Sequence, residues 1–143
     1  MTTKTFSFSL QELDRVVEEL WSLNSSCSVY TFTGPLGAGK TTIIKALCKK
    51  AGVDEVVTSP TFTYVNRYRA GHHKMIHHFD LYRLQTLDEF LQLGFDEYLY
   101  APNSWCFIEW PELIAPLLTK QVCAITLDYQ NEDTRRMTYR LVR

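Results

Sequence analysis

The 143-residue sequence predicts an α/β fold: one three-layer domain over residues 1–143, with a mixed parallel/antiparallel central sheet. Three observations carry that reading. Strand-like Ser28-Val29-Tyr30-Thr31-Phe32-Thr33, a glycine-rich loop and helix-like Thr42-Ile43-Ile44-Lys45-Ala46-Leu47-Cys48 follow one another directly. A second apolar run, Cys106-Phe107-Ile108, ends in the carboxylate of Glu109. Strand patterns also come in consecutive pairs, at 63–81 and 122–141, which strict βα alternation does not produce.

From the N-terminus, Ser9-Leu10-Gln11-Glu12 has the form of a capping box, with Phe8 and Leu13 placed as a hydrophobic staple. Leu13, Val16, Val17, Leu20 and Trp21 follow at helical spacing, so an amphipathic helix is expected. After the strand, loop and helix around residue 34, Lys49-Lys50 and Gly52 mark the helix end. The stretch 56–62 contains Pro60 and reads as a loop leading into a strand. Residues 63–69 and 74–81 predict a hairpin turning at Ala70-Gly71-His72-His73. Thr86-Leu87-Asp88-Glu89 is a second capping box, opening a short helix that stops at Gly94. Pro102-Asn103 turns the chain into the strand ending at Glu109. Pro111 can open a short helix, with Pro116 in or near its end. Residues 122–129 alternate as a strand, and Gln130-Asn131-Glu132-Asp133 turns it back into another strand.

The loop itself bears the chemistry. Gly34-Pro35-Leu36-Gly37-Ala38-Gly39-Lys40-Thr41 fits G-x-x-x-x-G-K-[ST], the phosphate-binding P-loop. Glycines let several backbone N–H groups turn inward around a triphosphate without Cβ clashes. Lys40 supplies a flexible charge for the β- and γ-phosphates, and the Thr41 hydroxyl can ligate Mg2+. The following helix points its positive end at the same anion. Hydrolysis or transfer also needs an acid near the metal. Glu109 ends a strand expected beside the loop's strand, where open α/β sheets hold their ligands, and can reach Mg2+ directly or through water. Alone, a glutamate at a strand end would read as solvated. Asp80 ends Ile76-His77-His78-Phe79 and is a second acid, for metal or for orienting water; equally, it can form an Asx-turn or pair with Arg83.

Composition narrows the classes. Fifteen Lys+Arg against sixteen Asp+Glu give a net charge of -1, so no overall basic field points to nucleic acid. Arg135, Arg136, Arg140 and Arg143 read as a solvated strand face, with tRNA or partner contact the minority reading. No run approaches the roughly 18 apolar residues of a membrane span, and Met1-Thr2-Thr3-Lys4-Thr5 lacks a signal-peptide core. Cys27, Cys48, Cys106 and Cys123 lie apart on apolar stretches and read as reduced core residues. His72, His73, His77 and His78 resemble a metal cluster. Neighbouring strand residues face opposite ways, however, so His77 and His78 cannot easily share an ion; only His78 is placed near Asp80.

Taken in order, Gly37-Ala38-Gly39-Lys40-Thr41-Thr42, Ser59-Pro60-Thr61-Phe62, His78-Phe79-Asp80-Leu81-Tyr82-Arg83-Leu84, Leu93-Gly94, Ile108-Glu109-Trp110-Pro111 and Asp128-Tyr129 resemble the bacterial tRNA threonylcarbamoyladenosine biosynthesis ATPase, the TsaE (YjeE) family. The resemblance runs from about Phe6 to Met137. It implies a cytoplasmic, Mg2+-dependent ATPase working with two partner proteins that place a threonylcarbamoyl group on adenosine 37 of ANN-decoding tRNAs. Its own hydrolysis would reset the partner complex between turnovers, so tRNA is met indirectly. ATP and Mg2+ are the implied ligands. Gly34, Leu36, Gly37, Ala38, Gly39, Lys40, Thr41 and Thr42 would hold phosphates, with Thr41 and Glu109 on the metal. Lys40, Asp80 and Glu109 would be catalytic, and Trp110 a functionally sensitive neighbour. Ser59-Pro60-Thr61 would form a switch-like loop near the γ-phosphate, and Ser9 (or Leu10) and Arg135 would touch the nucleotide. Pro35 stands where many relatives have an acid, with little expected effect because that position contributes backbone.

Two other functions compete. A small-molecule kinase should devote a segment to its acceptor, and no such insertion lies between these elements. A nucleotide-gated binding module would not need both Asp80 and Glu109. A regulatory GTPase lacks its N-K-x-D element here, and a transporter ATPase its L-S-G-G-Q.

Overall fold

The computed structural model describes residues 3–60 and 62–142. Its centre is a seven-stranded sheet built from β1 (Thr3–Ser9), β2 (Val29–Thr33), β3 (Val65–Arg69), β4 (Met75–Asp80), β5 (Ser104–Glu109), β6 (Val122–Tyr129) and β7 (Thr134–Val142). The strand order is β1-β7-β6-β2-β5-β4-β3. The four inner strands β6, β2, β5 and β4 run parallel, whereas β3, β7 and β1 join antiparallel at the two sides. This is the mixed sheet the paired strand patterns require.

Two apolar cores cover its two faces. Helices α1 (Leu13–Trp21) and α2 (Lys40–Lys50) lie on one side, with Val16, Val17, Leu20, Ile43, Ile44 and Leu47 packed on Tyr30, Phe32, Phe107, Ile125 and Leu127. On the other side Val29, Phe79, Cys106 and Ile108 meet Phe90 of α3 (Leu87–Gln92), and Leu99 and Ile114 from the segments around two 3-10 turns, Phe95–Tyr98 and Glu112–Leu117. The alternation of strand side chains produces this division: Phe107 and Glu109 face α2, while Cys106 and Ile108 face α3.

The first capping box forms in full; at the second the Thr86 cap is made, but the Glu89 carboxylate accepts the Gln85 N–H at 3.2 Å and not that of Thr86. The Ser9 N–H donates to Glu12 Oε1 at 3.0 Å, and the Glu89 N–H donates to Thr86 Oγ1 at 3.1 Å. Gly94 closes α3 with φ 76°. All four cysteines are buried, and burial raises the thiols of Cys48 and Cys106 to about 12. The sequence reading did not assign β1. Its strand pattern is carried by Phe6 and Phe8 alone, because a side strand leaves Thr3, Lys4 and Thr5 exposed. It nevertheless pairs with β7 along its whole length, from Thr3 opposite Arg140 to Ser9 opposite Thr134. Helix α2 starts at Lys40, earlier than the apolar pattern showed, so Lys40 and Thr41 occupy its first turn. Among the described residues, no helix is long and apolar enough to cross a membrane.

Candidate nucleotide-binding site

The loop between β2 and α2 is held from beneath. At Gly34, φ is 152°, and a Cβ would lie 2.4 Å from the carbonyl oxygen of Leu127, so no larger residue fits against β6. Gly39 takes φ 103° immediately before α2, a conformation L-residues rarely adopt. Tyr129 at the end of β6 donates its hydroxyl to the Leu36 carbonyl at 2.9 Å, bracing the crown of the loop.

Lys40 is buried under this arch. Its ammonium donates to the Gly34 and Pro35 carbonyls at 2.5 and 3.0 Å and lies 4.0 Å from the centre of the Trp110 ring. Burial pulls its pKa down, opposed by the charges of Glu109, Asp80 and Glu112. Trp110 takes φ 59° as the chain leaves β5, and Tyr82 packs on its indole at 5.0 Å.

The register of the parallel strands brings the two acids together. Asp80 and Glu109 are paired at the carboxyl ends of β4 and β5, and Glu109 is opposite Phe32 of β2. Glu109 is only 3% exposed, and both of its oxygens are engaged. Thr41 donates its hydroxyl to Oε1 at 2.8 Å, and His78 Nε2 lies 2.8 Å from Oε2. Asp80 is more open. Its Oδ1 accepts the Tyr82 N–H at 3.1 Å as an Asx-turn, and its Oδ2 accepts the Ser59 hydroxyl at 3.2 Å. Arg83 lays its guanidinium over the Phe62 ring, 4.6 Å from its centre.

A cleft of about 370 Å³ opens between these groups, lined by Leu36, Gly37, Gly39, Lys40, Thr41, Thr42, Ser59, Asp80, Tyr82, Arg83, Glu109 and Trp110. A second, of about 690 Å³, adjoins it at Gly37, Gly39 and Thr42 and extends over Ala38 to Leu10, Gln11, Glu132, Asp133 and Arg135. Gly34 lies in neither lining, because it faces β6. Ser9 is also outside both, its backbone turned to Glu12, while its neighbour Leu10 lines the second cleft. Thr61 falls outside the described residues. The histidines do not converge: His72 and His73 form the hairpin turn, and His77 stacks on Tyr98 across the sheet from Glu109. Among the described residues, no three His, Cys, Asp or Glu side chains could hold a metal by themselves. Sequence reasoning assigned no role to Tyr129 or Tyr82, although both sit in quoted motifs, and it considered Arg83 only as an alternative partner of Asp80, whereas the Arg83 guanidinium lies over Phe62. The same reasoning placed His78 only near Asp80.

A glycine arch joined to a helix N-terminus, with an acid-tipped parallel strand beside it, defines a P-loop NTPase-type α/β protein. Residues 7–137 match the family described as threonylcarbamoyl adenosine biosynthesis protein TsaE. The chain belongs to that family. It is 37% identical over 114 residues to the tRNA threonylcarbamoyladenosine biosynthesis protein TsaE of Bacillus subtilis, covering 80% of this chain and 70% of that one. It is 34% identical over 139 residues to the Aquifex aeolicus protein of the same name, covering 94% and 92%. The crystal structure of Bacillus subtilis YdiB superposes with a TM-score of 0.72 and 26% identity, over all of this chain and 89% of that one. Membership ties the chain to tRNA threonylcarbamoyladenosine biosynthesis.

Proposed function

We propose that the whole chain acts as one cytoplasmic unit, a Mg2+-dependent ATPase that serves the threonylcarbamoylation of adenosine 37 in ANN-decoding tRNAs with two partner proteins. The observation that carries the ATPase reading is the Thr41–Glu109 contact beside the Lys40 ammonium. A hydroxyl whose proton is given to a buried carboxylate presents its lone pairs outward, the hard oxygen donor that suits Mg2+ shared with phosphate. Glu109 thus serves the metal side through Thr41 or through water. Lys40 exchanges its loop carbonyls for phosphate oxygens, and the amides of residues 36–42 line the anion. Bound Mg2+ would neutralise charge developing on the phosphoryl oxygens. Asp80, more open and oriented by Ser59 and Tyr82, is left to position the attacking water. The second cleft, reaching Leu10 and Arg135, is where the rest of the nucleotide would lie.

Phosphate release from ATP, measured alone and with the partner proteins, tests this reading. Release stimulated by the partners is expected, whereas ADP formation that follows an added small acceptor indicates a kinase. Binding without release under every condition indicates a gated binding module. Lys40→Ala should abolish nucleotide binding. Glu109→Ala should keep metal-free binding and lose Mg2+-dependent turnover by at least about 100-fold. Turnover at the parent rate would overturn the role given to Glu109.

A further inference from the structure

His78 is fully buried in the middle of the α/β core, yet it is bonded to the carboxylate at the edge of the cleft. The register explains the reach. His78 is opposite Phe107, and Glu109 is two residues farther along β5 on the same face, so the two side chains are diagonal neighbours. A carboxylate in its ionised form only accepts, and in that form the bond is the one in which His78 donates from Nε2 to Oε2. Among the described residues, the opposite ring nitrogen, Nδ1, has no hydrogen-bond partner. A buried polar ring with one nitrogen left unbonded costs stability, and packing alone would be served better by an apolar side chain. The single bond it makes fixes the rotation of Glu109. With Oε2 tied to β4, only Oε1 is left to receive the Thr41 hydroxyl.

We propose that His78 is a positioning residue of the metal-nucleotide site: it locks the Glu109 carboxylate so that Thr41 is held as a preformed oxygen donor. This rests on the Mg·ATP reading above. His78 lines neither cleft; it acts through Glu109, as the outer partners of metal-binding side chains do. An unlocked carboxylate can rotate and release Thr41, so the loss should fall on metal dependence and spare the grip of the loop on phosphate.

The test is the binding of AMPPNP, a non-hydrolysable ATP analogue, by calorimetry, with EDTA and across a Mg2+ titration. His78→Phe fills the same space without a donor, and His78→Gln returns an N–H at similar reach. The Phe variant should bind metal-free AMPPNP within about twofold of the parent, but need about 10- to 100-fold more Mg2+ for half-saturation. The Gln variant should recover most of that loss. In a Glu109→Gln background, His78→Phe should add little, because its effect passes through the carboxylate. A Phe variant with the parental Mg2+ requirement overturns the proposal. So does equal impairment of the Phe and Gln variants with a lowered Tm, which marks a packing role. If the parent itself shows no Mg2+-dependent AMPPNP binding, the underlying functional reading fails, and this one with it.

Discussion

At the scale of single residues, the site is a set of side chains held by donors from distant parts of the chain. Tyr129 reaches back across 93 positions to the Leu36 carbonyl. Tyr129→Phe removes that brace while keeping the ring, so the loop should loosen and nucleotide affinity fall about fivefold, the equivalent of about 1 kcal/mol in a titration with ADP. His77 gives a pH prediction away from the cleft. Burial, reinforced by Arg67, lowers its pKa from 6.5 to about 4. Above pH 6.5 the ring is neutral whether folded or unfolded, so stability there is unaffected. As pH falls from 6.5 to about 4, the unfolded chain takes up a proton that the folded one refuses. Stability therefore declines across that window, by about 3 kcal/mol at most, and levels off below it. Urea midpoints at pH 7 and pH 5 should differ for the parent and converge in His77→Phe.

Among the elements, what was legible followed from periodicity and punctuation. The β2-loop-α2 unit, the helix caps at Ser9 and Thr86, the β3–β4 hairpin and the β6–β7 pair were readable because each carries its signal within about a dozen residues. Strand β1 was not, since half its residues face water and its stability comes from β7, more than a hundred residues later. The same limit hid the tie between His78 and Glu109. The sequence placed Asp80 and Glu109 at strand ends, but only the register of β4 against β5 puts His78 beside Glu109. Short α3 depends on its first turn, where Thr86 caps the Glu89 amide. Thr86→Ala should cost about 1 kcal/mol and lower Tm by about 3 °C in a calorimetric scan, with metal-free nucleotide binding unchanged.

Across the whole molecule, the parallel centre supplies the chemistry and the antiparallel flanks complete its boundaries. Carboxyl ends of β2, β4 and β5 deliver the loop, Asp80 and Glu109 to one place, as open sheets do at their ligand-binding ends. The β1–β7 pair then brings residues from both ends of the chain, Leu10 and Arg135, to the second cleft. Its walls come from elements that neither glycine spacing nor strand-end acids could reveal; the family resemblance pointed to Ser9 or Leu10 and to Arg135, and of these Leu10 and Arg135 line it. Trimming residues 1–9 should therefore weaken nucleotide binding even though the loop is intact, a loss measurable by ADP titration of the shortened protein.

The three tryptophans are distributed unequally: Trp21 and Trp105 pack edge to face 4.9 Å apart, and Trp110 alone lines the cleft beside the lysine. That asymmetry builds an optical reporter into the native chain. Indole emission should respond to triphosphates through one chromophore, over a steady background from the other pair. A dye-free titration becomes feasible, and Trp110→Phe should silence its signal.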